Sequence, residues 1–117
     1  MQNVSVRQYN VGRNLDVDES GDLIITGPKQ VFGFIVTNVA QGVRYLKIYN
    51  KATAPTVGTD TPKLTIPLPS VNVPIIAEIH GGIDFPLGIG VGATTGVADN
   101  DIGAPGANEV VVNILYK

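Results

Sequence analysis

"VRYLKIYNKATA", residues 43–54, is the longest stretch of this chain free of both glycine and proline. It runs for twelve residues, and fourteen glycines and eight prolines divide the rest of the 117 more finely still. A mean helix takes about 11–12 residues, so even this stretch barely holds one. Its pattern is not helical either. Leu46 and Ile48 alternate with Tyr45, Lys47 and Tyr49, the period of two that sends successive side chains to opposite faces of a strand. The chain reads as all-β.

The same alternation recurs on both sides of that stretch. Val4 and Val6 open one strand, and Leu15 and Val17 lie in a second. "DLIIT" (22–26) follows a Ser20-Gly21 turn, and "QVFGFIVTN" (30–38) sets Phe32, Phe34 and Val36 on one face. A polar connection, "KATAPTVGTDTP" (51–62), leads to "KLTIPL" (63–68), "VPIIAEI" (73–79), "LGIGVGA" (87–93) and "EVVVNILY" (109–116). About eight short antiparallel strands with turn signals between them predict one domain over 1–117, a two-sheet sandwich with jelly-roll topology. Pro67, Pro69 and Pro74 withhold ladder donors, which places that region at a sheet edge.

Gly88, Gly90 and Gly92 alternate with Leu87, Ile89, Val91 and Ala93, so one face of that strand is bare backbone. Something must approach it closely. Either a bulky neighbour within the fold or a crowded subunit contact meets the requirement.

Composition narrows the function. Eight basic against ten acidic residues give a net charge of −2, with no general attraction for phosphate, so no nucleic-acid partner is expected. No apolar run approaches the 18 residues of a membrane span, and "MQNVSVRQYN" (1–10) has no apolar secretory core. There is no cysteine, so packing or oligomerisation must supply the stability that disulfides would otherwise add.

The parts of an enzyme are missing. His80 is the only histidine, and Ser5, Ser20 and Ser70 lie outside any G-x-S-x-G elbow. One histidine without cysteine cannot make a zinc site. "DVDESGD" (16–22) offers Asp16, Asp18, Ser20 and Asp22 around Gly21, like the first half of a calcium loop. The twelfth position, however, is Gly27 rather than a bidentate glutamate, and a solvated hairpin turn accounts for the stretch better. "TGVADNDIGAPGAN" (95–108) brings Asp99 and Asp101 together in a glycine-rich loop. It reads as a corner between the last two strands, with contact to a partner as the alternative. No catalytic residue, metal or cofactor is expected. Tyr45 and Tyr49 beside Arg44, Lys47 and Lys51 could border an interface or stack on a carbohydrate.

Three stretches carry a resemblance: "YLKIYNKATAPTVGTDTPKLTIPLP" (45–69), "GGIDFPLGIGVG" (81–92) and "ATTGVADNDIGAPGANEVVVNILYK" (93–117). They resemble a group of small virion structural proteins of tailed bacteriophages and prophages, over roughly the C-terminal 85 residues. The resemblance implies a non-enzymatic particle protein made in the bacterial cytoplasm. The role that suits a small β domain best is a capsid decoration, or cement, protein on the capsid surface. Its partners would be the major capsid protein and further copies of itself, as a homotrimer. The interface residues expected on this reading are Arg7, Arg13, Tyr45, Lys47, Tyr49, Gly88, Gly90, Gly92, Asp99 and Asp101. Residues 1–14 would reach out as an arm. The alternatives are a tail, fibre or head–tail junction component, or a carbohydrate-binding sandwich using Tyr45 and Tyr49.

Overall fold

Eight strands build the molecule, in a computed structural model that describes residues 8–117. They are β1 (Asn10–Asn14), β2 (Asp22–Thr26), β3 (Lys29–Asn38), β4 (Arg44–Asn50), β5 (Leu64–Leu68), β6 (Ile75–Phe85), β7 (Gly88–Thr94) and β8 (Val110–Tyr116). One sheet has the order β1-β8-β3-β6 and the other β2-β7-β4-β5, with antiparallel pairing throughout. First pairs with last, second with seventh, third with sixth and fourth with fifth. The chain is thus one long antiparallel ribbon rolled into two facing sheets, the jelly roll.

The alternation explains the core. Phe34 and Val36 of β3, Leu46 and Ile48 of β4, Ile89 and Val91 of β7, and Val110, Val112 and Ile114 of β8 point between the sheets and are buried. Each such side chain contributes about 1.5–3 kcal/mol of transfer free energy. The proline-rich region lies at an edge, as expected, because β5 pairs only with β4.

Three details differ from the sequence reading. First, Leu15 and Val17 follow a strand rather than forming one. β1 ends at Asn14, and Val17 enters the core with its N–H donated to the Val110 carbonyl. Asn10–Asn14 also pair with β8 along their whole length, so this part of the expected arm belongs to the sheet. Val4, Val6 and Arg7 lie outside the described residues.

Second, Phe32 does not share a face with Phe34 and Val36. Pairing runs from Val31↔Ile83 directly to Gly33↔Glu78, so residues 79–82 bulge opposite Phe32 alone. The switch sends Val31 inward to full burial and turns Phe32 toward Tyr9, at 5.2 Å between ring centroids. Gly81 and Gly82 make the bulge possible with φ of +84° and +78°. A Cβ on Gly82 would come within 2.9 Å of the Phe32 ring. Third, carried by this bulge, β6 continues to Phe85 instead of ending at Ile79.

Candidate interaction surface

The outer face of the β2-β7-β4-β5 sheet gathers most of the residues singled out in the sequence. Leu46 and Ile48 point inward, so Tyr45, Lys47 and Tyr49 point away from the core. Yet Lys47 and Tyr49 are 0% exposed. Two connections fold back over them. The 51–62 segment lays Pro55 and Val57 into the trough left by the glycines. A Cβ on Gly90 would lie 2.7 Å from Pro55 Cδ, and one on Gly92 would lie 2.5 Å from Val57 Cγ2. Gly88 faces backbone instead, with the Lys51 carbonyl 2.5 Å from where its Cβ would be. The close neighbour demanded by the bare strand is therefore the chain's own loop. Gly88, Gly90 and Gly92 are buried and present no surface to another subunit.

The covering segment is tied down at both ends. Asp60 accepts the Thr56 N–H at 2.7 Å and pairs with Lys51 at 3.3 Å. The Thr56 N–H, with a smaller contribution from Lys51, holds the Asp60 carboxyl below its usual range. Lys51 donates its N–H to Gly88, and Lys63 donates its N–H to Ile48.

The 95–108 loop closes the other side. Lys47 reaches up and donates from Nζ to the Ala98 carbonyl at 2.6 Å, while Thr94 Oγ1 donates to Gly96 at 2.7 Å. Asp101 accepts the Gly103 N–H at 2.7 Å, an Asx turn that shapes the bend. Arg44 and Glu109, 3.1 Å apart, clamp the end of the loop beside β4. Burial lowers the Lys47 pKa, and Asp101 and Asp99 pull it partly back. Burial, aided by Asp60 and Asp99, pushes the Tyr49 phenol up to about 12. Its hydroxyl is the one buried side-chain polar atom among the described residues that has no hydrogen-bond partner. Charge balance and loop anchoring account for this cluster. Tyr49 cannot stack on a sugar, which removes half of the tyrosine platform. Tyr45 remains half-buried between Thr94 and Pro67.

The other sequence candidates scatter. Asp16 accepts the Asn108 N–H at 2.7 Å, Asp18 accepts both the Ser20 N–H and hydroxyl, and Asp22 accepts from Asn14 at 3.0 Å. The three carboxylates turn to three partners instead of converging, and no group of His, Cys, Asp or Glu among the described residues is arranged to hold a metal. His80 is exposed on β6 beside a cleft of about 410 Å³ lined also by Tyr9, Phe32, Glu78 and Gly81. Lys117 Nζ lies 5.5 and 5.7 Å from the Tyr9 and Phe32 ring centres.

The outer face of the β1-β8-β3-β6 sheet is the opposite case. Its outward residues are Val11 and Arg13 on β1, Val111, Asn113 and Leu115 on β8, Ile35 and Thr37 on β3, and Ile76 and Glu78 on β6. Among the described residues nothing covers them. Val11 is 55%, Ile35 38% and Ile76 73% exposed. Of the expected interface residues that the structure describes, only Arg13 lies here. The missed signal was present: "IIAEI", "FIVTN" and "EVVVNILY" are apolar on both parities, the signature of strands covered on both faces.

Comparison with family models, with curated proteins and with solved structures finds no match to this chain.

Proposed function

We propose that this chain is a non-enzymatic structural protein of a bacteriophage virion, a capsid decoration protein that binds the shell of major capsid protein as a symmetric oligomer. The observation that carries the reading is the uncovered apolar face of the β1-β8-β3-β6 sheet. A contiguous apolar patch of this kind marks a surface of association. On the opposite face Lys47 instead anchors a loop through the Ala98 carbonyl, and Tyr49 is buried beneath it. Jelly rolls recur in viral capsid domains, which supports the reading as analogy of fold. A lattice of identical sites would convert a modest contact per copy into durable attachment.

The test is add-back. Purified protein is mixed with shells that lack it, and with isolated tails, and particles are recovered by sedimentation. Saturable binding to shells, weakened in Ile76→Asp because symmetric association on this face multiplies the contacts, is the expected result. Binding to tails alone would move the protein to the tail, and binding to neither would overturn the reading.

A further inference from the structure

We infer that the occupant of the bare face is a second copy of this chain, packed sheet on sheet about a two-fold axis parallel to the strands. The inference rests on the reading of this face as the surface of assembly, and it names the partner.

The argument is the placement of charge. Register fixes the face as a grid. Val11 is level with Leu115, which is level with Gly33, which is level with Glu78. The next row is Arg13, Asn113, Ile35 and Ile76. Across these rows the cation sits on one edge strand, β1, and the anion on the other, β6. The strands between them contribute Leu115, Asn113, Val111, Ile35 and Thr37. Lys117, just past β8, is held over the Tyr9 and Phe32 rings at the end of the grid.

Two copies can meet face to face with either of two orientations of the axis in the plane between them. An axis across the strands lays β1 on β1 and β6 on β6, setting Arg13 near Arg13 and Glu78 near Glu78. An axis along the strands reverses the order, so that β1 lies over the partner's β6 and β8 over the partner's β3. That arrangement lays each Arg13 over the partner's Ile76, one row (about 6.8 Å) along the strand from the partner's Glu78 and within reach of its long side chain, twice by symmetry, and stacks Leu115 and Val111 against the Ile35 strand. Like charges opposed cost stability and opposite charges fix register, so the pattern selects the second axis. Sheets packed in this way sit about 10 Å apart.

Size sets the strength. Four strands about 4.8 Å apart, each offering roughly six residues of about 3.4 Å, span on the order of 400 Å² per copy. A standard stable interface takes about 800 Å² per partner. The pair is therefore reversible, and multiplicity on a lattice supplies the rest.

Sedimentation velocity over a concentration series tests it. The wild type should form a concentration-dependent dimer that weakens with salt. Arg13→Glu and Glu78→Arg should each raise the dissociation constant at least tenfold, and the double variant should recover most of the loss. At concentrations low enough to keep copies apart, all of these variants should keep the wild-type melting curve, because neither position enters the core. A wild type monomeric at every concentration overturns the inference. So does a trimer indifferent to both substitutions, or a double variant as weak as the singles. A monomer that dimerises only after removal of residues 2–7 would assign the face to the chain's own N-terminal segment, and overturns it too. The two readings fail separately. Monomers that still bind shells through Ile76 would retain the decoration role and reject the pair, whereas salt-sensitive dimers that bind no particle would do the reverse.

Discussion

The two sheets of this sandwich treat their outer faces in opposite ways. On the central strands β7 and β4 of one sheet the outward residues are glycine, lysine and tyrosine, groups that water tolerates well, and two loops bury all of them but the half-buried Tyr45. On β1-β8-β3-β6 the outward residues are largely aliphatic, and no described segment lies over them. Hydropathy therefore does not decide which face is covered; shape does. Three alternating glycines cut a trough that Pro55 and Val57 fill, and once that lid is in place Lys47 must find its partner inside, which it does at the Ala98 carbonyl. The bare face offers no trough to its own chain. Substitutions on the covered face should consequently register as stability, and those on the bare face as association.

The largest effect belongs to Gly88→Ala. Its φ of +146° and the backbone oxygens of Lys51 and Ile25, 2.5 and 2.7 Å from the new Cβ, leave neither a comfortable conformation nor a flexible side chain to give way. A loss of about 3 kcal/mol in chemical denaturation is expected. An unchanged midpoint would mean that the lid is not seated on β7 as described. Val57→Ala comes next, at about 1–2 kcal/mol, because it empties the trough above Gly92 without touching the core. Amide exchange should accelerate across 51–62 and leave β3 and β8 unaffected.

Much of this was legible in the sequence, and the remainder failed for a common reason. Alternation and glycine–proline punctuation bracket β2, β3, β4, β5, β7 and β8 to within a residue or so, because they are local signals. The glycine face correctly demanded a close neighbour, but which neighbour depends on where residues 51–62 land, and no local pattern encodes that. Phe32 lies on the other side of β3 because β3 bulges at Phe32 against β8, opposite the Gly81–Gly82 bulge of β6, and both partners are far away along the chain. β1 was missed because "NVGRN" contributes a single apolar side chain, while Leu15 and Val17 nearby alternate more persuasively. Tyr45, Lys47, Tyr49, the three glycines, Asp99 and Asp101 do gather in one region. Lys47, Tyr49 and the three glycines are buried there and Asp101 shapes the loop above them, so these serve the fold, while Tyr45 stays half-buried and Asp99 exposed.

Tyr49→Phe should be gentler and of opposite sign. The hydroxyl is buried without a partner, so deleting it removes a desolvation cost and stabilises the protein by about 1 kcal/mol. The pH dependence follows. Tyr49 in the folded state titrates near 12, above the ordinary tyrosine value of about 10. The native state therefore holds that proton longer than the unfolded chain does. The stability associated with it is complete below about pH 10 and is lost as pH climbs toward 12. Lys47 works in the other direction, since burial lowers its pKa and its neutralisation in alkali favours the folded state. Comparing wild type with Tyr49→Phe isolates the tyrosine. The variant should lack the alkaline decline between about pH 10 and 12, and should lose a phenolate absorbance step near pH 12. Identical alkaline profiles would show that the lid does not exclude water from Tyr49.

The smallest expected effect on stability gives the sharpest contrast, because it turns on a single step along β6. Ile75 packs against the core and Ile76, its neighbour, is 73% exposed on the bare face. At concentrations low enough to keep copies apart, Ile75→Ser should cost about 2 kcal/mol, whereas Ile76→Ser should stay within about 0.5 kcal/mol of wild type. Raising the concentration should reverse their importance: Ile75→Ser would associate in proportion to its folded fraction, and Ile76→Ser would be folded yet weakened in association. Equal costs for the two at low concentration would mean that Ile76 is buried by the chain's own residues, and the difference between the two outer faces would vanish. An apolar side chain at this position contributes nothing to the isolated fold. Its contribution must be sought in what the face meets.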